Sequence, residues 1–301
     1  MNGPAVVREA NAVVSEPAWV RRVLIGLVFV VLGVLLVLPL LAVFAEALSR
    51  GWRVYVASVT DADALSAMRL TVMVAAVAVP LNVVFGVCAA WALAHFRFPG
   101  RGLLLGLIDL PLAMSPVVSG LMLVLLLGVN GYFGGVLSAL GVEVVFAFPG
   151  LVLATMFVTF PYVARELVPL MESLGSEQEQ AALVLGASGW AMFWRVTLPN
   201  IKWGLLYGVI LCTARALGEF GAVSVVSGHI RGATTTLPLH VEVLYNEYNS
   251  AAAFACASVL AGLGVVTLVL KELVGRRRGG GGGAEVAGRG GAARGSEGGA
   301  G

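Results

Sequence analysis

The sequence predicts an all-α membrane protein with six transmembrane helices, and two observations carry that expectation. Of its 301 residues, 59% are hydrophobic and 12% charged, with a mean hydropathy of +0.94. A soluble domain runs at roughly 45–50% apolar and about 25% charged. A water-soluble globule of this length could not hide so much apolar surface, and the same content excludes disorder for most of the chain. The second observation is where the charges are missing. Residues 23–45, 70–96, 144–164 and 248–270 contain no Asp, Glu, Lys or Arg. A spanning helix needs about 20 apolar residues to cross roughly 30 Å of hydrocarbon. The net charge of +2 gives no basis for a nucleic-acid partner, so membrane lipid is the expected surrounding.

Two further stretches are apolar but interrupted: 102–142 carries Asp109, and 203–228 carries Arg215 and Glu219. The six expected spans are therefore 23–45, 71–95, 102–128, 144–164, 204–227 and 251–270. The first run is too long for the apolar region of a cleaved signal, which is about 7–15 residues, so it is read as a span. Pro39, Pro80, Pro111, Pro116, Pro149 and Pro161 lie inside spans, where neighbouring helices or a water-lined cavity must satisfy the freed carbonyls. Basic residues set the orientation. With both termini cytoplasmic, only Arg50, Arg53, Arg69 and Arg231 fall outside, and Arg215 lies within the bilayer. This divides the chain into a cytoplasmic segment 1–22, a six-span domain 23–275 and a Gly/Arg-rich tail 276–301. Beyond Gly279 the tail has no apolar periodicity and is expected to be a disordered extension. Cys88, Cys212 and Cys256 lie in apolar runs without CxxC spacing and read as buried small hydrophobes.

Neither lysine, Lys202 or Lys271, follows a glycine, so a Walker A phosphate loop is absent and any ATP-driven work needs another chain. No cofactor is expected. The long connection 165–202 is not random in composition. Ser176 and Glu179 have capping-box spacing, so a helix begins there and runs through Gln180, Ala181, Ala182, Leu183 and Leu185. Gly186 can take the left-handed conformation that ends it. Ser188 then caps a second short helix with Trp190, Phe193 and Trp194 on one face, and Leu198-Pro199 stops it. Such a bent pair fits a groove of another protein. An interfacial pair with its aromatics at headgroup level is the alternative.

Gln180-Ala181-Ala182, three residues, Gly186, nine residues, then Val196-Thr197-Leu198-Pro199 resembles the EAA loop of ABC importer permeases. The family pattern is Glu-Ala-Ala-x3-Gly-x9-Ile-x-Leu-Pro, so Gln180 and Val196 depart from it. Gln180 keeps hydrogen-bonding reach but loses the charge of an ion pair to the ATPase, unless Glu179 substitutes. The resemblance covers roughly residues 20–275. Asp109-Leu110-Pro111-Leu112-Ala113-Met114-Ser115-Pro116 and Gly218-Glu219-Phe220-Gly221 are similar to the sulfate and molybdate branch. The segment 227–249, from Ser227-Gly228-His229 through Thr234-Thr235-Thr236 to Tyr245-Asn246-Glu247, resembles CysW-type subunits of sulfate/thiosulfate importers. The resemblance implies a type I importer (MetI-like) fold in the inner membrane. It also implies a CysT-type permease partner, CysA-type ATPase subunits and an extracytoplasmic sulfate/thiosulfate-binding protein. Glu179, Gln180, Ala181, Ala182, Gly186, Leu198 and Pro199 would then couple to the ATPase.

Arg215 and Glu219 are four residues apart on one face of span five, near its middle. A lone charge there costs about 2.5–3.5 kcal/mol even on gentle insertion scales, so the two are expected to pair and face inward. They form a structural pair, a link to a partner subunit, or a counter-charge restrained beside an anion path. Asp109 is expected to have a structural or gating role, either capping a helix that restarts after a break near Pro111 or bonding across to a neighbour. Arg231 and Thr234, Thr235 and Thr236 offer donors to an anion or a binding protein, or form a solvated loop. His229 and His240 lack companions at metal-ligand spacing. The rival functions are a molybdate/tungstate ABC permease and a secondary anion transporter, although matching halves with paired broken segments are absent from the sequence. A membrane enzyme lacks a metal motif, a GxSxG or a plausible triad.

Overall fold

The structure, a computed structural model, describes residues 17–292, and every described element is helical. Five helices are long and apolar enough to cross a membrane. They are α1 (Trp19–Leu48), α3 (Ala62–His95), α7 (Phe148–Leu174), α9 (Gly189–Leu217) and the apolar part Ser250–Gly275 of α12 (Ser250–Ala292). The pair α4 (Arg101–Ala113) and α5 (Pro116–Leu127), bent by 109°, is either a sixth, broken span or a re-entrant loop. Shorter helices fill the connections: α2 (Trp52–Val59), α6 (Gly134–Ala139), α8 (Glu177–Val184), α10 (Gly221–Ser227) and α11 (Leu237–Asn246).

Helix α3 is the central rod. Ala64, Ala67, Thr71, Val74, Ala78, Asn82, Gly86, Ala90 and Leu93 form a buried stripe of mostly small residues along it. Small side chains let helix backbones approach closely where lipid supplies no hydrophobic drive. Gly86 is an extreme case, since a Cβ there would lie 2.7 Å from Val163 Cγ1 of α7. A polar knot joins α3 and α7 to α9. Asn82 Nδ2 donates to Thr159 Oγ1 of α7 at 2.7 Å and faces Cys212 Sγ of α9 at 3.8 Å, all three residues being fully buried. Cys212 and Cys256 are buried as expected, but Cys88 is exposed. It lies off the α3 stripe, on a face that an apolar thiol can turn to lipid.

Several boundaries differ from the sequence reading. The span containing Pro111 does break close to it, at Met114 and Ser115, both extended with ψ of 149° and 133°. The residue before a proline avoids helical geometry, and Pro116 then starts α5 at its first turn. Helix α7 continues to Leu174, so Arg165 lies within it and the connection begins later than residue 165. Leu198-Pro199 does not stop a helix. A π-turn over Phe193–Thr197 carries α9 straight through it, Leu198 N–H bonding to Phe193 O. The π-turn Gly33–Val37 precedes Leu38-Pro39 in α1 in the same way. A helical proline lacks the N–H and crowds the carbonyl four residues back, and the wider turn relieves that crowding. The backbone of α12 runs on to Ala292, through a segment that composition predicts to be unstructured. Extending an existing helix avoids the cost of nucleation. Residues 1–16 and 293–301 lie outside the described residues.

Candidate coupling and permeation site

The expected fifth span, 204–227, is broken. Helix α9 ends at Leu217, and α10 starts at Gly221. Between them Glu219, 2% exposed, divides its carboxylate. Its Oε1 accepts from Ala222 N–H at 2.9 Å, and Oε2 lies 2.7 Å from Arg215 Nη1. The arrangement captures a free amide at the start of α10, and it satisfies a charge that burial would otherwise make very costly. Arg215 keeps part of its side chain open.

The break in α9–α10 lies against the bend in α4–α5. A Cβ on Gly221 would meet Pro116 Cβ at 2.8 Å, and one on Gly120 would meet Ala222 O at 2.7 Å. Irregular backbone inside a membrane survives only where protein buries it or a polar cavity lines it, and these two breaks shelter each other. Asp109 takes the neighbour option, its Oδ1 3.4 Å from Arg165 Nε of α7, with both side chains half-exposed. It does not cap α5, whose N-cap is Ser115 without a side-chain bond.

The connection between α7 and α9 is a protruding hairpin. Gly175 has φ +67° and Gly186 φ +88°, left-handed values that let the chain turn on either side of α8. Ser188 Oγ accepts from Ala191 N–H at 3.3 Å and caps the following helix. Trp190, Phe193 and Trp194 form one aromatic cluster with ring centroids 5.6–6.4 Å apart. The capping box does not form: Ser176 makes no cap bond, and Gln180 Nε2 donates to its hydroxyl at 2.8 Å. Glu179 turns inward instead. Its Oε1 accepts from Thr197 Oγ1 at 2.5 Å, and Oε2 lies 2.6 Å from His95 Nε2. Gln180 and Ala181 stay exposed, Ala182 and Leu198 are half-buried, and Pro199 is exposed. Val184 and Leu185 are each 87% exposed, and Trp190 is 73% exposed although it packs on Phe193 and Trp194. His95 and Val184 escape the sequence reading, and Thr197 enters it only as a spacer of the EAA pattern, because the contacts of His95 and Thr197 join distant segments.

At the opposite end the hydroxyls of 234–236 are not offered to solvent. Thr234, Thr235 and Thr236 are buried, and Thr234 Oγ1 donates to Ser227 O at 2.6 Å. Arg231 is engaged with Glu247 and, at 3.7 Å, with Asp63. His229 Nε2 lies 3.5 Å from Glu242. His240 is buried, and desolvation pushes its imidazole below the usual histidine range.

Five helices long and apolar enough to cross a membrane, a break after α9 packed against the bend of α4–α5, and a hairpin with exposed apolar side chains are the features of a multi-pass membrane protein. Residues 82–280 match the family described as binding-protein-dependent transport system inner membrane component, and the chain belongs to that family. A sulfate transport system permease protein CysW of Synechocystis sp. is 54% identical over 260 residues, covering 86% of this chain and 94% of that one. CysW of Escherichia coli K12 is 51% identical over 85% of this chain and 88% of its own. The crystal structure of a bacterial alginate ABC transporter, bound to its alginate-loaded periplasmic protein, contains a chain of the same fold. Its TM-score is 0.71 at 15% identity, over 86% of this chain and 94% of that one.

Proposed function

We propose that this chain is the permease subunit of an ATP-driven sulfate/thiosulfate importer, forming half of the pathway beside a CysT-type permease. CysA-type ATPase subunits supply the hydrolysis and an extracytoplasmic binding protein delivers the anion. The observation that carries the coupling half of this reading is the exposed apolar face of Val184, Leu185 and Trp190. It sits on a hairpin with EAA spacing, and an exposed apolar patch of that kind suits a protein groove. The substrate half is supported by the CysW relatives at 54% and 51% identity. The bias of Arg and Lys puts the hairpin and both termini on the cytoplasmic side.

A sulfate or thiosulfate dianion needs donors along a low-dielectric passage without tight binding, a demand met by neutral donors, helix ends and sparing use of Arg. Arg215, partly open and balanced by Glu219, either serves such a passage or only pairs within the fold, and the Arg215→Ala/Glu219→Ala variant separates the two. Choice among tetrahedral dianions then falls to the binding protein. Cells lacking this subunit are expected to lose radiolabelled sulfate uptake at micromolar concentration while keeping molybdate uptake. Lost molybdate uptake with sulfate uptake retained would make the chain a molybdate/tungstate permease. Uptake that persists without the ATPase subunit would make it a secondary transporter.

A further inference from the structure

We propose that Glu179, His95 and Thr197 form an internal latch that passes movement of the hairpin to two membrane helices at once; the proposal rests on the hairpin's coupling role. Glu179 is part of α8, yet its carboxylate is committed inside the chain rather than offered to a partner. It is 9% exposed, and both of its oxygens are engaged. Oε1 takes the Thr197 hydroxyl at 2.5 Å, and Oε2 faces His95 Nε2 at 2.6 Å. The other ring nitrogen of His95, Nδ1, lies 3.2 Å from Trp91 O, which fixes the ring. A carboxylate this enclosed holds its position only while both partners stay.

The two partners belong to different moving parts. His95 is the last residue of α3, a helix of 34 residues. At 1.5 Å per residue that rod is roughly 50 Å long. Near its other end Thr71 Oγ1 accepts from Leu237 N–H at 2.8 Å, at the start of α11. The latch therefore joins the hairpin to a rod whose far end holds the opposite cap. Thr197 closes the π-turn at the head of α9, the helix that carries Arg215 and ends at the break before α10. The π-turn precedes Pro199, so the Leu-Pro pair acquires a mechanical role: it sets the turn from which Thr197 reaches Glu179. Gln178 adds a weaker tie, accepting from Asn200 Nδ2 at 2.6 Å on the exposed side. Without Glu179 the hairpin would keep only the exposed Gln178–Asn200 tie and its packing on the head of α9, and would lose its bond to α3.

These three are positioning residues, and their test is the substrate moved per ATP in proteoliposomes holding the complete importer and its loaded binding protein. Thr197→Val removes only the donor, and Glu179→Gln removes the charge while keeping the shape. Both variants are expected to retain the ATPase subunits and to hydrolyse ATP. The sulfate moved per ATP should fall roughly tenfold, within the range one coupling contact controls. Thr197→Ser, which keeps the hydroxyl, should restore it. An unchanged ratio in both variants overturns the latch. So does loss of the ATPase from the Thr197→Val complex, because a buried hydroxyl that merely holds the hairpin's shape would act that way. A wild-type chain that never retains an ATPase subunit would overturn the coupling role itself, a different result from coupled wild-type and unaffected variants.

Discussion

Glu219 and Glu179 meet one difficulty in one manner: each buried carboxylate gives one oxygen to a hydrogen-bond donor and the other to a basic side chain. The Arg215–Glu219 pairing was legible because four-residue spacing places both on one helical face. The bond to Ala222 was not, since an apolar run gives no sign that the helix stops at Leu217. The inward turn of Glu179 was misread, because Ser176 and Glu179 have cap spacing and nothing local reveals His95 waiting on another helix. Removing one member of a buried pair costs about 3–5 kcal/mol by leaving the other charge stranded. Arg215→Ala is therefore expected to lower both membrane content and sulfate uptake, leaving Glu219 at 2% exposure without its cation. Arg215→Ala/Glu219→Ala removes both charges and should recover much of each. Uptake normalised to membrane content is the measurement. A double variant present at the wild-type level yet unable to move sulfate would put Arg215 on the anion path.

Among the elements, the hairpin shows most directly what local sequence settles. Gly186 ends α8 at φ +88°, and Ser188 caps the next helix, both readable from residue type. The continuation through Leu198-Pro199 was not readable, because the π-turn that admits the proline has no sequence signature of its own. Nothing lies within 4 Å of a Cβ built on Gly186, so substitution there meets no neighbour and acts through the backbone alone. A left-handed L-residue costs about 1–2 kcal/mol, most for a β-branched side chain and least for Asn. Gly186→Val should insert normally but lose sulfate uptake while ATP hydrolysis continues, and Gly186→Asn should retain most transport. Copurified ATPase and uptake report both. Full transport by the valine variant would remove the bend at Gly186 from the coupling mechanism.

For the whole molecule, hydropathy marks the apolar segments but not their straightness, since apolar content is alike in a continuous helix and in a pair bent by 109°. What shapes the interior is contact between small residues of distant segments, such as Gly86 on Val163 and Gly120 on Ala222, and composition does not record such pairs. The C-terminal end is the reverse case, a region where composition says much and packing little. Helix α12 touches α1, α9 and α11 through its apolar part, and Lys271 Nζ sits 5.5 Å from the Tyr207 ring of α9. Past Arg276, Arg277 and Arg278 the sequence turns to Gly, Ala and Arg. Glycine weakens a helix by about 1 kcal/mol per residue relative to alanine, so this end has little intrinsic helicity to lose. The three arginines remain as the basic anchor beside the last span. Deletion of 279–301 is accordingly expected to leave membrane content, ATPase copurification and sulfate uptake at wild-type values, whereas replacing Arg276, Arg277 and Arg278 by Gln should lower membrane content. Lost uptake in the deletion at normal membrane content would give the Gly-rich tail a part in transport that neither its composition nor the contacts of α12 suggest.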